Sequence, residues 1–162
     1  MQTKPKKFLP TIDTQNIRIA ICAARFNETI TEKLAKDAHE TLLEYGLQEK
    51  NIGVFWVPGA FEIPLTCKLL AETKKWDAII SIGAVIRGDT PHFEYVSSEV
   101  ATGCAKVSYD LNIPVIFGVL TTNTYEEAEK RTFGSLAYKG KEAAQNALEM
   151  IKLLQKIALS RP

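Results

Sequence analysis

The chain has 162 residues, with 20 Lys+Arg against 19 Asp+Glu and 46% apolar side chains, which is about one domain's worth of chain with material for a core. A formal charge of +1 leaves no basic footprint for nucleic acid, and nine Gly with seven Pro are too few for a disordered or collagen-like chain. The longest apolar stretch, Ala78 to Ile86, falls well short of the roughly 20 residues a bilayer span needs.

Met1 to Pro10 is basic and broken by proline, with no apolar segment behind it, so no secretory signal is expected. Cys22, Cys67 and Cys104 form no CxxC and each lies in an apolar run, as buried small hydrophobes do in a reducing compartment. The expected organisation is a cytoplasmic protein with one domain over 16–158. An extension over 1–15 is either free or paired with a neighbouring subunit, and 159–162 form a tail.

Asn16–Ala24 reads as the first strand. A helix over about Glu28–Tyr45 follows, with Ile30, Leu34, Ala38 and Leu42 on one stripe and Gly46 as its stop. Asn51–Val57 is the second strand, and a second helix begins near Ala60 with Pro64 in its opening turn. The third strand, Asp77–Ile86, is almost continuously apolar and so is expected to be covered on both faces. A helix over His92–Leu111, a fourth strand over Pro114–Leu120, a short helix over Glu126–Arg131 and a long helix over Lys139–Ala158 complete the chain.

The segments between strands are too long for hairpins and fit crossover helices. The order βαβαβαβαα therefore predicts an α/β fold, a three-layer α/β/α sandwich on a central four-stranded parallel sheet, flavodoxin-like. On a helical wheel the last helix is apolar over more than half its circumference, from Ala143 to Ala158. Packing on one sheet needs only a stripe. A neighbouring subunit or deeper enclosure by its own domain accounts for the surplus.

In open α/β sheets ligands sit beyond the carboxyl ends of the strands. The segments there are Ala24–Asn27, Pro58–Glu62, Arg87–Phe93 and Phe117–Asn123. Phe26 is a ring in a polar loop, suited to stacking on a planar ligand or to folding back as a hydrophobic staple. Ala60, Phe61 and Glu62 start a helix whose free N–H groups suit ligand carbonyls, although Glu62 also suits a cap. Gly88, Asp89 and Thr90 form a candidate anion nest, with Arg87 and Arg131 as candidate grips on phosphate. His92 opens the next helix, where the positive helix end favours a proton-accepting imidazole. A structural cap is the alternative.

His39 fits a solvated helix face. Two histidines and scattered cysteines assemble no zinc-type ligand set, so no metal is expected. P-loop, dinucleotide and nucleophile-elbow motifs do not occur.

Together the strand-end segments resemble the lumazine synthase family. The matching pieces are Arg25–Asn27, Val57–Pro64, Gly83–Glu94, Phe117–Thr121 and Lys139–Gly140, within a likeness from about Ile17 to Leu154. The resemblance implies condensation of 5-amino-6-(D-ribitylamino)uracil with 3,4-dihydroxy-2-butanone 4-phosphate. The products are 6,7-dimethyl-8-ribityllumazine, phosphate and water, in the penultimate step of riboflavin biosynthesis, and no cofactor is implied.

By that likeness Phe26 stacks on the pyrimidine, while Ala60, Phe61 and Glu62 bind its ring and ribityl chain. Ala84, Val85 and Ile86 line its other edges, and Phe117 reaches in from a neighbouring subunit. Asp89, Thr90 and Arg131 hold the phosphate of the second substrate, and His92 shuttles protons. The resemblance also implies a pentamer and names riboflavin synthase as the candidate recipient of the product. In Thr132–Tyr138 the chain carries bulkier residues than many members, which leaves assembly into a sixty-chain shell open. The competing readings are a non-catalytic flavin- or lumazine-binding protein, a receiver or flavodoxin-type signalling domain, and a structural shell protein.

Overall fold

A computed structural model describes residues 11–161 of the chain. Met1–Pro10 and Pro162, and with them most of the expected extension and the end of the tail, lie outside the described residues. Four strands, β1 (Ile19–Ala24), β2 (Ile52–Val57), β3 (Ala78–Ile86) and β4 (Val115–Thr122), form one parallel sheet in the order β2-β1-β3-β4. Five helices connect and cover it: α1 (Glu28–Glu44), α2 (Ile63–Glu72), α3 (His92–Leu111), α4 (Tyr125–Thr132) and α5 (Lys139–Leu159). This is the expected three-layer, flavodoxin-like α/β sandwich.

The pleat explains why β1 and β3 read as continuous apolar runs. Successive side chains alternate between faces. Ile19, Ile21, Ile80 and Ile82 point into a core shared with α1 and α5. Ala20, Cys22 and Ile79 point into a second core shared with α2 and α3. Both central strands are thus enclosed on two sides, and truncating such an isoleucine to alanine removes about 2–5 kcal/mol. β2 and β4 sit at the edges, and β2 leaves Val54, Phe55 and Trp56 exposed.

Boundaries differ from the sequence expectation for local reasons. β1 starts at Ile19 rather than Asn16 because Ile17 N–H closes a turn on the Thr14 carbonyl at 3.2 Å. β2 starts at Ile52 because Glu49–Asn51 forms a 3-10 turn. β4 runs on to Thr122, since Thr121 and Thr122 pair with Val85 and Ile86. α2 begins at Ile63, after a 3-10 turn over Ala60–Glu62, with Pro64 in its opening turn. α4 is extended by a cap in which the Thr124 hydroxyl accepts from Glu127 N–H at 3.2 Å.

All three cysteines are free and buried. Neighbouring thiols of Cys104 and Cys22, together with burial, push the Cys67 thiol well up, so it packs as a neutral group. At the start of α5, Gly140 lets two helices approach closely: a Cβ there would lie 2.4 Å from the Leu34 carbonyl oxygen on α1. Further along, α5 buries Ala143, Ala144, Ala147, Leu148 and Ile151 but leaves Leu153, Ile157 and Leu159 exposed. Its own domain therefore does not enclose the apolar surplus.

Candidate active site

The site is built where the parallel strands end. Past β1 the chain continues the ladder for two residues, Arg25 N–H donating to Val57 O at 2.8 Å and Phe26 N–H to Pro58 O at 3.1 Å. Asn27 then turns the chain with a left-handed φ of 62° and donates from Nδ2 to the Ala84 carbonyl at 2.8 Å. Stitched to both neighbours, the turn presents the Phe26 ring outward with 72% of its surface exposed, not folded back as a staple.

Beyond β2, the Glu62 carboxylate accepts from Gly59 N–H at 2.9 Å. The capping function weighed from sequence is thus real, and it fixes Glu62 at the rim of the same hollow as Phe26.

β3 outruns β1, and that mismatch creates the ligand-facing edge. Backbone groups of alternate residues face opposite neighbours in a parallel sheet. Ile79 and Arg87 donate to β4-side carbonyls, of Pro114 and Thr122, so even-numbered residues of β3 turn toward β1. The β1–β3 pairing ends at Ala23 opposite Ile82. The backbone amides of Ala84 and Ile86 therefore lie past the reach of β1, where a planar ring with donors and acceptors on its edge would meet them.

Arg87 to Pro91 is an exposed loop, and His92 is the first residue of α3. The Thr90 hydroxyl accepts from His92 N–H at 3.4 Å, a weak bond that closes the loop onto the helix.

Phe26, Ala60, Phe61, Glu62, Ala84, Val85, Ile86, Thr90 and His92 line one hollow of about 710 Å³, within the size range of small-molecule sites. Asp89 sits on the loop between lining residues Gly88 and Thr90 but is not in the lining. Phe117 lines a separate hollow of about 250 Å³ with Lys139 and Glu142. Arg131 lies on α4 outside both, donating from Nη1 to the Glu127 carbonyl at 2.9 Å. Arg87, read from sequence as a grip on phosphate, instead engages Glu94 and Asn123.

Two lining residues went unread: Tyr95 and Val96. The signal was present, since they stand three and four positions after His92 on a helix and so share its face. Tyr95 is 70% exposed and joins Phe26, Phe61 and Phe93 as a fourth aromatic ring in the lining.

The hollow combines aromatic faces, an open strand edge, an N–H-rich loop and an imidazole, and it suits a planar heterocycle beside an anionic co-substrate. Residues 16–155 match the family model described as 6,7-dimethyl-8-ribityllumazine synthase. A protein from Protochlamydia amoebophila (strain UWE25), named 6,7-dimethyl-8-ribityllumazine synthase, is 47% identical over 156 residues, covering 96% of this chain and 91% of its own length. With match and strand-end geometry in agreement, the chain belongs to the 6,7-dimethyl-8-ribityllumazine synthase family, enzymes of riboflavin biosynthesis.

Proposed function

We propose that the lumazine synthase reaction runs in the strand-end hollow, with 5-amino-6-(D-ribitylamino)uracil on the open edge of β3 and 3,4-dihydroxy-2-butanone 4-phosphate at the loop before α3. The observation that carries this reading is the convergence of Phe26, Glu62, Thr90 and His92, from three different strand ends, on one hollow. Phe26 stacks on the pyrimidine, and the amides of Ala84 and Ile86 meet its edge. Ala60, Phe61 and Glu62 receive the ribityl chain, and Asp89 and Thr90 hold the phosphate.

The pyrimidine's amine attacks the ketone carbon, water leaves and an imine forms. Phosphate is then eliminated, and the second amine closes the ring with loss of water. His92, at the mouth between the two substrates, accepts and returns the protons. Most of the acceleration comes from holding amine and ketone together, a term worth up to about 7–11 kcal/mol. A single proton shuttle adds about 10²–10⁴-fold.

The site is completed by a neighbouring copy in a pentamer. Supporting this, Phe117 and Lys139 line a second, smaller hollow that shares no residue with the first. The single chain also exposes Leu65 and Leu69 of α2, Phe55 and Trp56 of β2 and Ile157 of α5, apolar side chains that neighbouring copies would cover. Phe117 and Arg131 of the neighbouring copy then face the hollow and close it. Among the described residues no helix is long and apolar enough to cross a membrane, and three free thiols fit a cytoplasmic setting.

Incubating the purified chain with both substrates and following the absorbance and fluorescence of the lumazine tests the reaction. Turnover requiring both substrates supports it. Tight lumazine binding without turnover would favour a binding protein on this fold.

A further inference from the structure

The loop that carries Thr90 has almost nothing holding it from within. Arg87 through Pro91 are all exposed, and a Cβ placed on Gly88 would meet no atom within 4 Å. Apart from the weak bond between Thr90 and His92, only its two ends are anchored. On one side Arg87 N–H donates to the Thr122 carbonyl at 2.9 Å; on the other Glu94 N–H donates to the Pro91 carbonyl at 3.0 Å as α3 begins.

The Arg87 side chain spans these anchors. Its Nη1 donates to Glu94 Oε1 in the first turn of α3. Its Nε donates to Asn123 Oδ1 at 3.0 Å, beyond the end of β4. The guanidinium carbon lies 4.3 Å from the centroid of the Phe93 ring, which itself lines the hollow. Asn123 is held in turn, its N–H donating to Glu127 Oε2 at 2.9 Å on α4.

From this geometry we infer that Arg87 is a positioning residue: with Glu94 it forms a brace across the base of the Gly88–Pro91 loop that sets Thr90 and His92 relative to the strand edge. It acts through those residues and does not itself hold phosphate. Its Nη1 is engaged by Glu94 and its Nε by Asn123, and Phe93 covers one flat side. The Arg87 hydrogen bond holds the Glu94 carboxyl below the usual carboxylate range, so the pair stays ionised at neutral pH. An exposed ion pair adds little to global stability. Its effect is on where the loop sits, and misplacement by about 1 Å can cost about 10²-fold in rate.

The inference rests on the assignment of Thr90 and His92 given above, and kinetics and amide exchange together separate the two. Arg87→Lys, Arg87→Ala, Glu94→Gln and the double variant Arg87→Ala/Glu94→Gln are compared with the unaltered protein in steady state, varying each substrate. The brace predicts that Arg87→Ala loses about 10- to 100-fold in kcat/KM for the butanone phosphate, with the KM for the uracil little changed. Arg87→Lys does not rescue, because an ammonium lacks the planar fork. Glu94→Gln impairs in the same direction, and the double variant is no worse than Arg87→Ala, as expected for partners in one interaction.

Hydrogen exchange of the His92 and Glu94 amides, which bond Thr90 Oγ1 and the Pro91 carbonyl, reads the loop without any turnover, and it accelerates in Arg87→Ala. A direct phosphate ligand gives the opposite pattern: Lys retains most activity and Glu94→Gln, by freeing the guanidinium, tightens the phosphate substrate. That pattern, or unchanged exchange at the His92 and Glu94 amides, overturns the brace. If His92→Ala turns over as fast as the unaltered chain, it is the site assignment that fails.

Discussion

Phe26→Ala separates the two functions that a ring in a strand-end turn can have. The ring is 72% exposed in the chain, while the turn is held by main-chain bonds to Val57 and Pro58 and by the Asn27 side chain. Removing it leaves every one of those bonds in place. The melting temperature should therefore change by no more than about 2 °C, as for other surface substitutions in a chain of this size.

Loss of the stacking surface is a different matter. Aromatic stacking on a nucleobase is worth about 1–3 kcal/mol, which converts to roughly 5- to 150-fold in affinity. The KM for the ribitylaminouracil should rise within that range, with the KM for the butanone phosphate unchanged. Steady-state kinetics with one substrate saturating and the other varied, alongside a thermal melt, measures both. A melting temperature lowered by 5 °C or more with both KM values intact would show that Phe26 is a staple and refute the stacking.

His92→Ala should lower kcat by no more than about 10²–10⁴-fold, because a single proton shuttle supplies only that much; a greater loss, in single-turnover rates, would mean a further function for the imidazole. Arg131→Ala should raise the KM for the butanone phosphate while the uracil's affinity, measured by fluorescence titration, stays the same. Gly140→Ala would place a Cβ 2.4 Å from the Leu34 carbonyl oxygen, so α5 must shift from α1 at about 1–3 kcal/mol, visible as an earlier midpoint in urea. The Arg87–Glu94 brace should respond to pH in one direction only. The folded Glu94 carboxyl titrates below its ordinary value of 4.5 because Arg87 bonds its ionised form. The brace is thus complete above that value and is lost only as pH falls through the lowered one. Exchange at the His92 and Glu94 amides, corrected for intrinsic pH dependence, should be constant from about pH 6 to 8 and show opening only at acid pH.

What was legible in the sequence follows from how local each cause is. β3 could be read because a strand enclosed on both faces needs apolar residues at every position, and Ala78–Ile86 supplies them. α3 could be read at both ends, from His92 after a turn and from Pro114 beyond Leu111, and in the structure Asn112 ends the helix with a left-handed φ of 52°. Phe26 and Ala60–Glu62 were found because the strand-end rule points to them whatever the ligand, whereas Ala84–Ile86, inside the third strand, came from the family resemblance alone.

Other features depend on relations the order of residues does not carry. That Arg87 turns to Glu94, seven positions away, depends on the loop doubling back, and from sequence it looked as available to phosphate as Arg131. The fastening of the Phe26 turn by Asn27 to Ala84 spans 57 positions and becomes visible only once β1 and β3 are adjacent. Phe117 and Arg131 lie apart from the main hollow, and the order of residues does not say what they face.

The most direct test is an experimental structure of the assembled protein with a non-reacting analogue of the ribitylaminouracil and inorganic phosphate. The expected density has the heterocycle flat on Phe26 with its edge on Ala84 and Ile86, phosphate at Thr90, and Phe117 and Arg131 of an adjacent copy over both. Heterocycle density away from the β3 edge, or this ligand pair fully enclosed by one isolated chain, would contradict a site shared between strand tips and a neighbour.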